Sequence, residues 1–154
     1  MKKLMIIASC TLLLLAAGCK PHEPESLAGK VPQPAWQKPS EYDYSSSMTA
    51  VISVNLLASY PNMATDYELR KEDMIAAFIG DKCCGVANPQ GGVFFLFVAD
   101  VAPSYLVERK VTLRYWSAFY KNMFVATDAF TFANGSRLGD QASPITPLFV
   151  VQKQ

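Results

Sequence analysis

The stretch "MIAAFIGDKCCGVANPQGGVFFLFV", residues 74 to 98, holds three strand-like runs separated by two turn signals, and its reading decides the fold. Gly80-Asp81-Lys82 divides "MIAAFI" from "CCGVA" with the glycine and aspartate that short hairpin connections use. "NPQGG" supplies the next turn. "VFFLFV" is apolar at every position, the pattern of a central strand covered on both faces. Upstream, "SMTAVISVNLLAS" alternates, with Ala50, Ile52, Val54 and Leu56 on one side and Thr49, Ser53 and Asn55 on the other. Downstream, "ERKVTLRYWSAF" sets Val111, Leu113 and Tyr115 against Thr112, Arg114 and Trp116, and "NMFVAT", "AFTFA" and "PLFVVQ" complete the set. About seven or eight short strands at this spacing, with turn signals between them, predict an all-β, antiparallel β-sandwich. "NMATDYELRKED" is the exception. Asp66 and Glu68 precede Arg70 and Lys71 there, the charge order of a short helix or a long loop.

The N-terminus reads "MKKLMIIASCTLLLLAAGCK". Lys2 and Lys3 form a positive region, Leu4 to Leu15 an apolar run too short to span a bilayer, and Ala16, Ala17 and Gly18 supply small residues before Cys19. This is the pattern of a secretory signal peptide over residues 1–18. "LLAAGC" resembles the lipobox of bacterial lipoproteins. The resemblance implies cleavage before Cys19, acylation of its sulfur and of the new amine (palmitate being a typical chain), and loss of Cys10 with the signal. Each buried methylene contributes roughly 0.8 kcal/mol, so several chains anchor a protein to a membrane without a spanning helix. Lys20 stands where an aspartate retains lipoproteins in the inner membrane, so the same resemblance implies outer-membrane delivery. Glu23 and Glu25 match an acidic surface-export patch weakly, and periplasmic and surface faces both stay open.

Residues 19–40 gather half of the ten prolines among charged and small residues, the composition of an extended tether. Residues 41–154 have the size of one ordinary domain. Acidic and basic residues are interspersed along it, which leaves no footprint for nucleic acid.

Trp36, the Tyr-rich lead into Ser47-Met48-Thr49, "EDMIAAFIGDKCCGVA", the aromatic strand after it, "VTLRYWSAFYKNMF" and a proline before the last strand together resemble a small immunoglobulin-like β-sandwich module. Such modules recur in secreted and lipidated proteins of Gram-negative anaerobes. The resemblance implies an immunoglobulin-like fold and an accessory, non-enzymatic surface role. In that pattern an acidic residue stands at Lys82 and an arginine at Cys84, so this chain departs from it at both positions.

On a regular strand, neighbouring side chains point to opposite faces, so Cys83 and Cys84 look apart and a bond between them would strain the peptide. By parity Cys83 joins Gly85 and Ala87 as a packed small hydrophobe. Cys84 shares its face with Val86, and the resemblance turns it outward. The single histidine, His22, lies in the tether, which leaves the domain no His-based metal site and no Cys-His or Ser-His-Asp nucleophile. Asp73, Asp81, Asp100, Asp128 and Asp140 fall at strand ends or turns, where aspartate caps and solvates the backbone. Neither metal nor other cofactor is expected, and no enzymatic activity. The aromatic cluster is the candidate site: Trp116 is expected to face outward with Arg114, with Tyr120 beside them, as a surface for a glycan or an envelope protein. The competing expectation is a structural subunit of an outer-membrane lipoprotein complex with no ligand of its own.

Overall fold

A computed structural model describes Leu27 and residues 29–63 and 68–152. The expected signal peptide, Cys19 and His22 lie outside the described residues. Among the described residues, ten strands form two sheets: β1 (Ser47–Ile52), β2 (Met74–Ile79), β3 (Lys82–Ala87), β4 (Pro89–Gln90), β5 (Val93–Ala99), β6 (Lys110–Ser117), β7 (Asn122–Ala126), β8 (Phe130–Thr131), β9 (Arg137–Leu138) and β10 (Phe149–Val151). One sheet has the order β4-β5-β1-β9; the other runs β10-β7-β6-β2-β3, with β8 also beside β6. The strands of both sheets pair antiparallel except β1 and β9, which run parallel.

The all-β sandwich expected from the sequence is therefore present. The strand count exceeds seven or eight because β4 and β9 are two-residue pairings too short to leave a periodic trace, while the expected strand in "AFTFA" is reduced to the two residues of β8. The alternation read through Leu56 stops at Ile52, and Leu56–Ala58 form a single 3-10 turn. Of "NMATDYELRKED", residues 64–67 lie outside the described residues. Glu68–Asp73 are irregular chain and turn, not helix.

Alternation explains the core. Met48, Ala50 and Ile52 of β1 and Phe94, Leu96 and Val98 of β5 face Ile75, Ala77 and Ile79 of β2 and Val111, Leu113 and Tyr115 of β6. Tyr115 sits at the centre, with the rings of Phe94, Phe124 and Phe149 at centroid distances of 5.9, 5.8 and 5.8 Å. A buried phenol needs a partner for its hydroxyl. Here that partner is Asp73, just before β2, whose carboxylate accepts from Tyr115 Oη at 2.8 Å and from the Ala118 amide at 2.7 Å. Asp73 is fully buried rather than solvated, unlike the expectation for a strand-end aspartate.

The two sheets meet along β3 and β5. At Gly85 an added Cβ would lie 2.1 Å from the Phe97 carbonyl oxygen, so only glycine allows β3 this close to β5. One residue earlier, the β2–β3 register slips: Ala77 pairs with Gly85 and Phe78 with Cys83, leaving Cys84 as the extra residue of a β-bulge.

Candidate binding surface

Trp116, Tyr120 and Arg114 do not form an open surface. Trp116 retains 6% of its accessible area and Tyr120 4%. Tyr120 turns into the core, its ring against Phe119 and Phe124, whereas the cover of Trp116 comes from the proline-rich segment that the sequence presented as a tether. Leu27 is fully buried, and the carbonyls of Leu27 and Gly29 accept from Asn122 Nδ2 at 3.4 and 2.8 Å. The Val31 amide donates to the Lys121 carbonyl at 2.8 Å, and the Val31 carbonyl accepts from the Trp116 indole at 3.0 Å. Gln33 Nε2 reaches Met74 Sδ at 3.2 Å, and the edge of Trp36 packs on Phe78. Leu27 and residues 29–36 thus form a strap across the outer face of the larger sheet. Arg114 is part of the same layer, its guanidinium 4.1 Å from the centre of the Phe78 ring. An extended proline-rich segment satisfies few of its own backbone groups, so polar side chains on a sheet surface can hold it.

The open aromatic surface lies on the other sheet. Phe95 and Phe97 alternate with the buried Phe94, Leu96 and Val98, so they point outward, 42% and 43% exposed. The expectation that "VFFLFV" is covered on both faces is corrected here: β5 has the core on one side and solvent on the other. The two phenyl rings form a ridge between two shallow hollows. One, of about 320 Å³, is bounded by Thr49, Val51 and Arg137. The other, of about 280 Å³, lies between the ridge and β3 and is bounded by Lys38, Glu41, Tyr44 and Val86. Tyr44 leans on Phe97 with ring centroids 5.5 Å apart. Cross-strand pairing of Val51 with Phe95 and of Thr49 with both Phe97 and Arg137 fixes the arrangement on rigid elements. Comparison with protein-family models, curated proteins and solved structures finds no match to this chain.

Both cysteines of the hairpin carry free thiols. The bulge reverses their expected placement. Cys84 points into the core and is fully buried, its sulfur 3.3 Å from the Lys82 carbonyl. Cys83 is half-buried on the outer face beside Phe78 and Val86. Burial pushes both thiols above the ordinary thiol range, so they stay protonated and poorly nucleophilic at neutral pH. Burial likewise raises the pKa of Asp73, against the lowering effect of its hydrogen bonds from Ala118, Tyr115 and Arg70. Of the other aspartates, Asp100 pairs with Arg109 at 3.0 Å, and Asp140 accepts the amides of Ala142 and Ser143. Among the described residues, no three His, Cys, Asp or Glu side chains gather as metal ligands.

Proposed function

We propose that the protein is a lipid-anchored, non-catalytic envelope module that binds a partner protein through the Phe95/Phe97 face. The observation that carries this reading is the ridge itself: two phenylalanines held on a rigid strand with more than two fifths of their area in solvent. Large apolar groups placed together outside a core mark interaction surfaces. The margins carry Arg137, Lys38 and Glu41, giving an apolar centre with a charged rim, the anatomy of a protein interface. Phenyl rings offer a sugar no hydrogen bond, and each sugar hydroxyl desolvated on them needs a partner. A glycan is therefore the second reading, supported by the polar groups of Thr49, Arg137 and Tyr44 around the hollows. Raised thiol pKa values and a domain without histidine support the non-catalytic part. The lipobox at Cys19 and its neighbour Lys20 support an outer-membrane anchor.

Two measurements test this. Mass spectrometry of the processed protein is expected to find an acylated N-terminal Cys19, and a bare thiol overturns the anchor. A photo-crosslinking residue at position 97 is expected to capture a discrete protein on whole cells, whereas the same residue at the exposed Thr112 of the strapped sheet captures none. Glycan-array retention that Phe97→Ser abolishes, without a protein adduct, would reassign the face to sugar.

A further inference from the structure

The docked strap has a geometric consequence for the anchored protein. β6 runs from Lys110 to Ser117, so the two poles of the larger sheet lie roughly 23 Å apart. The first pole carries the β6–β7 turn, residues 118–121, and the loop entering β2. The strap meets the domain there, at Asn122, Lys121 and Tyr120. The second pole carries the Gly80-Asp81 turn and the loop over residues 101–109, where Leu106 approaches Gly80. In that loop the Arg109 guanidinium bonds the Asp100 carboxylate and the Pro103 and Leu106 carbonyls, while Tyr105 and Val107 stand 78% and 94% exposed.

Only Lys20 to Ser26 separate Cys19 from the buried Leu27, about eight Cα steps, which span at most roughly 28 Å. A free chain over residues 19–40 would reach about 70 Å or more. Charge points the same way. The first pole holds Lys30, Arg70, Lys71 and Lys121 against Glu68, Glu72 and the buried Asp73, with Lys71 paired to Glu72 at 3.7 Å, which leaves an exposed excess of positive charge. At the second pole Lys110 pairs with Glu108, Arg109 with Asp100, and Asp81 stands beside Lys82. Anionic headgroups attract the first and not the second.

We infer that the strap holds the β6–β7 pole against an anionic lipid surface and turns the pole bearing Tyr105 and Val107 away from the bilayer. This rests on acylation at Cys19. The strap then acts as a spacer of fixed length and direction.

The test uses the full lipidated chain in vesicles of phosphatidylcholine and phosphatidylglycerol with an energy-transfer acceptor in the headgroups. A donor is placed at Lys121→Cys or Asp81→Cys in a Cys83→Ser background, Cys84 being buried. Transfer from position 121 is expected to exceed that from 81 by about twofold, given poles roughly 23 Å apart. A long Gly/Ser insertion between Glu25 and Ser26, which leaves the strap intact, is expected to erase the difference. Equal transfer from both positions in the uninserted protein, or a difference that survives the insertion, overturns the orientation alone. Failure of the chain to float with vesicles overturns the anchor and the orientation with it.

Discussion

The outward faces of the two sheets are built from similar residues and meet opposite surroundings. On the larger sheet, Trp116 and Phe78 are roofed by the segment from Val31 to Trp36. On the smaller, Phe95 and Phe97 keep more than two fifths of their area in water. Both faces present large outward aromatics, one each from β6 and β2 on the larger sheet and two from β5 on the smaller. The difference lies in what the rest of the chain supplies: carbonyls of a proline-rich segment for Trp116 and Asn122, and for Phe97 the flanking ring of Tyr44 beside an open hollow. An outward aromatic is a structural residue or a binding residue according to whether another segment reaches it.

The comparison can be broken most forcefully at Trp116. Trp116→Ala removes a buried ring and the donor that holds Val31, and is expected to lower stability by about 3–5 kcal/mol in denaturant unfolding. The strap should then become protease-sensitive. Gly85→Ala attacks the seam between the two faces. Its Cβ meets the Phe97 carbonyl, so β3 and β5 must part, with a loss of about 3 kcal/mol and a disturbed hollow beside Tyr44. Asp73→Asn puts an amide donor where the carboxylate accepts Tyr115, Ala118 and Arg70, and should cost about 1–3 kcal/mol. The same residue gives a pH signature. Because folding raises its pKa, the contribution of Asp73 is complete below its ordinary value of 3.8 and is lost as pH rises through the higher folded value. That part of the slope in thermal melts should vanish in Asp73→Asn. The smallest stability effect is expected on the open face: Phe95→Ser with Phe97→Ser should change stability by less than about 1 kcal/mol per site while abolishing partner binding or glycan retention. A large stability loss there would mean that the ridge is part of the fold and not a free surface.

Much of the architecture was legible because a period of two and turn residues report local geometry directly. Ala50 and Ile52 of β1, and Val111, Leu113 and Tyr115 of β6, fall on the core side that alternation assigns. The site was not legible, for two physical reasons. Alternation assigns Trp116 to an outward face but says nothing about coverage by a segment more than eighty residues away in sequence. In "VFFLFV" both parities are apolar, so the pattern cannot separate a strand covered twice from one with a sticky outer face. Cys83 and Cys84 exchanged places because a single bulge inverts parity, and the sequence shows a bulge only as a glycine in a strand, here Gly85.

The contacts at Trp116 and Asn122 also impose an order of assembly. They join Leu27 and Val31 to residues 85 to 95 positions further on, so the strap has no surface to dock on until β6 and β7 exist. In a chain that emerges from its N-terminus, the portion made among the first is fastened among the last.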